Sequence, residues 1–146
     1  MLTCHDVAKY FLSLVDEEAG DSISNLKLQK LVYYAQAYTL AILDRPLFHE
    51  DIEAWVHGPV IPDLYRSFKQ HKAEPIPPGP ANVDKFIPEE IEILDDVWNM
   101  FGQFSAAKLR NMSHEELPWK QTPRLGVISR DLMKQYFRTQ LVQTKA

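Results

Sequence analysis

The chain has 146 residues, of which 45% are hydrophobic and 25% are charged. This composition is typical of an ordinary globular protein and predicts a single domain over residues 1–146 with one hydrophobic core. Cys4 is the single cysteine, so an intramolecular disulfide is excluded and a reduced, cytoplasmic setting is expected. No apolar run reaches the length of a membrane span, and the first residues lack a signal-peptide pattern.

The net charge of −4 bears on the choice of partner. Nucleic-acid binding draws much of its affinity from lysine and arginine side chains that neutralise phosphates. A mildly acidic chain is poorly suited to this, and nucleic acid is not an expected partner of this chain alone.

The first half of the chain contains two helical patterns. Thr3, with a carboxylate three residues later, predicts the start of a first amphipathic helix whose apolar stripe ends near Gly20. Ser24 caps the second, which ends by Asp44 or Arg45 because a proline follows. Apolar residues occur on several faces of the second helix, which predicts that it is the central helix of the fold.

A short β element and a helix are predicted next. Residues 47–48 and 52–56 are apolar or β-branched, which predicts two short strands paired as a hairpin. A helix is expected over residues 59–71, with Pro62 in its first turn. Residues 74–81 are proline-rich and predict an internal loop with polyproline character.

Helical periodicity returns after Pro88 and predicts a helix there, followed by one capped by Ser105 and a last one beginning at Ser129. The fold class is therefore mainly α. We expect a compact domain of about six helices around the central helix, with a small two-stranded β element.

Catalytic chemistry is not indicated by any pattern in the chain. Nucleophile-elbow and phosphate-binding glycine sequences are absent, and Cys4 lies close to the terminus. The histidines lack the spacing of a helical zinc site, although a fold that joined His57, His114 and Glu115 would form one. Structural roles for these histidines are favoured, and no enzyme activity, metal or cofactor is predicted.

One face of the central helix is a candidate partner-binding surface. Lys27, Lys30, Tyr34 and Tyr38 fall at helical spacing and form a mixed basic and aromatic stripe. Tyrosine combines contact area with a polar tip, which suits an interface. The alternative is that both tyrosines belong to the core while both lysines extend into solvent.

A second group of polar and aromatic residues is too specialised to be simple core filler. It comprises Trp55, His57, Asp63, Tyr65 and Trp119. These residues either build an internal hydrogen-bond network or line a groove, and the network is favoured because buried tryptophan and tyrosine usually have hydrogen-bond partners.

Three blocks of the chain together resemble a known family. They are Ile23–Ala37, Glu53–Tyr65 and Leu109–Trp119. In these blocks the chain resembles the Panacea domain family, also called SocA-like, which includes GepA-like proteins of phages and mobile elements. The positions that match the family pattern are Trp55, His57, Gly58, Pro59, Asp63, Tyr65, His114, Glu115 and Trp119.

The resemblance implies a helical fold and an antitoxin that neutralises a protein toxin by direct binding. It further implies presentation of the toxin to a protease such as ClpXP as a second mode of action. The alternative is a phage or mobile-element interaction or adaptor protein without a cognate toxin. Which toxin would be bound does not follow from the resemblance.

Overall fold

The structure, a computed structural model, describes residues 1–145, with side chains as far as Leu141. Within this range the chain forms seven α-helices and one two-stranded antiparallel sheet. The predicted mainly helical fold is confirmed. The helices are α1 (Cys4–Ser13), α2 (Asn25–Leu43), α3 (Pro62–Phe68), α4 (Pro88–Phe101), α5 (Ala106–His114), α6 (Leu117–Lys120) and α7 (Arg130–Lys145), and the strands are β1 (Glu53–Trp55) and β2 (Gly58–Val60).

Helix α1 begins as predicted but ends earlier. The Thr3 side chain accepts a hydrogen bond from the Asp6 amide, and the Asp6 carboxylate accepts one from the Thr3 amide, which completes the capping box. The helix ends at Ser13 and does not reach Gly20. The Asp16 side chain accepts hydrogen bonds from the next backbone amides and so stabilises a separate 3₁₀ turn.

Helix α2 is the central helix, as predicted. Ser24 caps its first turn by accepting a hydrogen bond from the Lys27 amide, and the chain leaves the helix at Asp44, whose φ is 59°. Every residue from Lys27 to Ala41 is buried. Helices α1, α4, α5 and α7 and strand β2 all pack against α2, which explains why its sequence lacks a single apolar stripe.

The hairpin forms from strands other than those expected. Strand β1 pairs with β2, with Ala54 opposite Pro59, whereas Phe48 forms an isolated parallel bridge with Leu2. The pairing predicted between residues 47–48 and 52–56 is therefore wrong. The Ala54 amide and carbonyl bond to the chain at Leu125 and Gly126 instead of β2, so Pro59 lies at a non-hydrogen-bonded pair where its missing N–H costs nothing.

The buried hydrophobic residues form one cluster that extends from Leu2 to Phe137. It contains Leu31 of α2 and Phe101 of α4, and the partly buried Trp98 packs against it. The helices before and after the proline-rich loop therefore share one core. Within the described part of the chain, no helix is both long and apolar enough to cross a lipid bilayer.

Candidate functional site

Lys30 lies in the second turn of α2 with no exposed surface. Its Nζ donates a hydrogen bond to the carbonyl oxygen of Pro59 at 3.0 Å. Burial lowers the pKa of Lys30 to about 7, and the positive charge of Arg110 acts in the same direction. The central helix therefore presents a lysine that titrates near neutral pH to the inner side of the hairpin.

Gly58 allows the hairpin to close over Lys30. A Cβ atom at this position would lie 2.8 Å from Lys30 Cε and 2.8 Å from Ser113 Oγ. Its φ of 106° is also a conformation that side-chain-bearing residues rarely adopt. Both the space and the backbone conformation thus require glycine, and at Gly58 the hairpin approaches both α2 and α5 closely.

A second buried polar pair lies next to this contact. The Tyr34 hydroxyl donates a hydrogen bond to Glu116 Oε2 at 2.9 Å, and the Tyr34 ring stacks on Phe101 with centroids 4.1 Å apart. Burial raises the pKa of Glu116 to about 8, and the hydrogen bond from Tyr34 opposes this rise. Glu116 is therefore a second group in the interior that titrates near neutral pH.

Three buried side-chain atoms have no hydrogen-bond partner among the described residues: the Tyr33 hydroxyl oxygen, His114 Nε2 and Glu116 Oε1. An unsatisfied buried polar atom costs about 1–3 kcal/mol. Strongly shifted pKa values occur both at functional sites and in structural networks. We call the buried polar groups of α2, α5 and the start of α6, with the Lys30–Pro59 and Tyr34–Glu116 hydrogen bonds, the buried network.

His114 and Trp119 connect the network to the hairpin. Their rings stack with centroids 4.1 Å apart, and the Arg124 guanidinium lies 3.7 Å from the centroid of the Trp119 ring. Trp119 Nε1 donates a hydrogen bond to the Trp55 carbonyl oxygen at 2.8 Å. Burial lowers the pKa of His114, with a hydrogen bond to the Val56 backbone opposing it.

On its outer side the hairpin lines a groove of about 250 Å³ together with α3 and the first turns of α2. The Trp55 and Tyr65 rings meet edge to face there, with centroids 5.1 Å apart, and His57 is exposed at the hairpin turn. Lys69 and Lys72 line the opposite side. Neither ammonium group bonds or pairs with a described residue, so the groove combines two aromatic rings with free positive charge.

The predicted face of Lys27, Lys30, Tyr34 and Tyr38 is not a surface. All four residues are buried, with at most 7% of their area exposed, and Lys27 Nζ donates to the Gly102 carbonyl at 2.6 Å. The expected exposure of this stripe is therefore wrong, because helices cover α2 on every side. The alternative is also wrong for both lysines, which remain inside the fold; a binding role for these residues stays a prediction.

Two further predicted residues, Asp63 and Glu115, lie on the surface, outside both the network and the groove lining. Asp63 is exposed and accepts a hydrogen bond from Arg66 at 2.6 Å, while Glu115 is exposed and faces Lys120. Among the described residues, His57, His114 and Glu115 form no group with metal-binding distances. Lys69, Lys72 and Glu116 were not identified from the sequence as site residues.

These features define a class: a helical protein whose sequence motifs build a buried network on one side of a hairpin and a groove on the other. The family model described as Antitoxin SocA-like, Panacea domain, matches residues 28–120. This match covers more than half of the chain, and the chain belongs to that family. The matched region includes the hairpin and the segment from His114 to Trp119.

A curated relative matches a shorter segment. Antitoxin SocA of Caulobacter vibrioides (strain NA1000 / CB15N) is 52% identical over 46 residues, which are 32% of this chain and 24% of that protein. The aligned segment thus spans about a quarter of the relative. No solved structure matches the chain.

Proposed function

We propose that this chain is an antitoxin that acts as one domain and neutralises a protein toxin by binding it directly. The observation that carries the proposal is the match of residues 28–120 to the SocA-like antitoxin family. Gly58, Pro59, His114 and Trp119 pack at the buried network, which supports a structural role for these four positions of the family pattern. The toxin is then expected to bind a surface outside that network.

The groove beside the hairpin is the surface that best suits a protein partner. Aromatic side chains in a recess are favoured as binding hot spots, and Trp55 and Tyr65 supply two. A volume of about 250 Å³ is below the ~300–1,000 Å³ typical of small-molecule pockets and fits one side chain of a partner.

The charge of the groove further indicates what kind of partner segment it binds. Lys69 and Lys72 are unpaired lysines on a chain whose net charge is −4, so the groove is locally basic on an acidic protein. Complementary charge accelerates association and selects partners. The occupant we propose is an acidic segment of the toxin that places one apolar side chain against the two rings.

Co-expression tests the proposal. Each neighbouring open reading frame is expressed with and without this chain, and growth is measured; we expect one frame to be toxic alone and to be neutralised by the wild-type chain. A purified mixture of the two proteins should then form a complex. If no neighbouring frame is toxic, an adaptor without a toxin is favoured. If rescue occurs without a complex, neutralisation by direct binding is contradicted.

A charge-reversal pair tests the surface. Lys69→Glu with Lys72→Glu should weaken toxin binding at least about tenfold, because both substitutions place negative charge where an acidic segment binds. The matched control, Lys9→Glu with Lys108→Glu, changes the net charge equally at exposed positions outside the groove lining. Equal loss in both double variants would show that overall charge, and not the groove, determines binding.

Presentation of the toxin to a protease such as ClpXP is a finer form of the same proposal. It requires the bound toxin to be degraded faster than the free toxin. Measuring the toxin half-life in cells with and without this chain distinguishes the two modes. A half-life that is unchanged while growth is rescued would favour inhibition by occupancy alone.

A further inference from the structure

Three side chains with metal-binding chemistry converge where α1 begins. Ligand atoms of Cys4, His5 and Glu50 lie within 4.8 Å of one another. Residues 1–141 contain no other group of this kind by the same distance criterion. The three residues lie outside the hairpin network and the groove, and the antitoxin proposal makes no use of them.

Backbone contacts hold the three residues together across 45 positions of sequence. The isolated parallel bridge between Leu2 and Phe48 places the start of the chain beside the segment that contains Glu50. The Cys4 amide donates a hydrogen bond to Glu50 Oε1 at 3.1 Å, which orients the carboxylate toward the helix start. Cys4 is fully buried, and 9% of the Glu50 side chain is exposed.

Ser67 of α3 fixes the orientation of the His5 ring. His5 Nε2 lies 2.7 Å from Ser67 Oγ, and the same hydroxyl donates its proton to the Asp63 carbonyl oxygen. Since a serine hydroxyl has one proton, Oγ accepts from His5 Nε2–H. The unprotonated Nδ1 is thereby directed at Cys4 Sγ, 3.6 Å away, and metal-binding histidines are commonly oriented in this way through their other nitrogen.

The separation of these two atoms suits a zinc ion. Zinc–sulfur bonds of about 2.3 Å and zinc–nitrogen bonds of about 2.0 Å, arranged tetrahedrally, place sulfur and nitrogen about 3.5 Å apart, close to the 3.6 Å observed. We propose that Cys4, His5 and Glu50 bind Zn²⁺ through one thiolate, one imidazole and one carboxylate. Binding releases the thiol proton to solvent, and the fourth coordination position is open to water.

A purely hydrogen-bonded helix start is the competing explanation, and cobalt spectroscopy separates the two. The full chain is treated with a chelator, desalted and titrated with Co²⁺. We expect visible bands of tetrahedral intensity and a near-ultraviolet band from thiolate to cobalt, both abolished by Zn²⁺. A wild-type protein without the thiolate band would overturn the proposal, whatever the variants do.

Zn²⁺ affinity, measured by competition with a chromophoric chelator, tests the individual ligands. Cys4→Ser, His5→Ala and Glu50→Gln should each weaken binding by more than Ser67→Ala, for which about a tenfold loss is expected because Ser67 only positions His5. The control His71→Ala removes a histidine outside the cluster and should bind as the wild type does. Circular dichroism verifies that each variant is folded, and equal affinity of folded Cys4→Ser and wild type would refute the site.

Discussion

The two sides of the hairpin differ in what their residues contact. On the inner side, Gly58 and Pro59 are buried against α2, and the Pro59 carbonyl accepts the hydrogen bond of a lysine without exposed surface. On the outer side, Trp55 and His57 border a groove in which the ammonium groups of Lys69 and Lys72 have no partner among the described residues. Residues that are neighbours in one short motif therefore belong to two different environments.

The residues of one sequence motif can therefore be present for two different physical reasons. The inner residues are required by space and hydrogen bonding, so substitution there should reduce stability. The outer residues contribute little to the core, so substitution there should affect partner binding more than folding. A family pattern that contains both kinds of residue identifies the fold and the surface together, and the predictions below test whether they are separable.

The largest expected effect is at the inner side. Gly58→Ala should lower the free energy of unfolding by about 3 kcal/mol or more, because strain at positive φ and a close approach to Lys30 and Ser113 each cost roughly 1–3 kcal/mol. The matched control is Gly79→Ala, at a glycine with no atom within 4 Å of the added Cβ. Chemical denaturation measures both, and equal stability of the two variants would show that the hairpin does not depend on this contact.

An intermediate effect is expected at Glu116 and depends on pH. The folded-state pKa is about 8, above the ordinary value of 4.5. From pH 4.5 to 8 the folded state therefore holds more protons than the unfolded state, and the contribution of Glu116 to stability falls as pH rises, by at most about 1.4 kcal/mol per pH unit. Lys30, with its lowered pKa, has the opposite slope between pH 7 and 10.5.

The substitution Glu116→Gln removes the fall in stability that ionisation of Glu116 causes as pH rises. Relative to wild type, the variant should gain about 3 kcal/mol of stability between pH 4.5 and pH 7, since glutamine has no charge to bury and still accepts from Tyr34. Glu115→Gln is the matched control at an exposed neighbour. Denaturation across this pH range measures the difference, and parallel pH profiles for wild type and Glu116→Gln would contradict the raised pKa.

Local signals in the sequence predicted most of the helical fold. Thr3, Ser24 and Ser105 cap helices as expected, because capping depends on residues within one turn. The hairpin was paired wrongly because Pro59 was assigned to the start of the next helix. Pro59 is tolerated in β2 because it lies opposite Ala54, whose amide bonds to Gly126 instead. A local sequence pattern does not show these contacts, because they join separate segments of the chain.

The candidate site was harder to predict for the same reason. Lys30 is buried because the carbonyl of Pro59, 29 positions away, accepts its hydrogen bond, and no spacing within α2 indicates this. Lys69 and Lys72 lie in and directly after the 3₁₀ turn Lys69–His71. They line the groove only because this turn packs beside the hairpin. The motif residues Trp55, His57 and Tyr65 were identified, and the structure brings all three to one groove.

The smallest expected effect on stability is at Lys72, which combines the groove with backbone strain. Its φ is 56° and its ψ is −126°, a conformation that costs a residue with a side chain about 1–3 kcal/mol. Glycine avoids this strain but loses about 0.5–1 kcal/mol to backbone entropy. Lys72→Gly should therefore raise the free energy of unfolding by about 1 kcal/mol, whereas Lys72→Ala should retain the strain and change it by less than about 0.5 kcal/mol.

Toxin binding by the same two Lys72 variants is the second measurement of this test. Both Lys72 variants remove the ammonium group, so toxin binding should weaken to the same extent in each although their stabilities differ. That combination would show that the lysine is retained at a strained position for the groove and not for the fold. Stability that is lower in Lys72→Gly than in Lys72→Ala would mean that the backbone is not strained, and unchanged toxin binding in both would separate Lys72 from the interface.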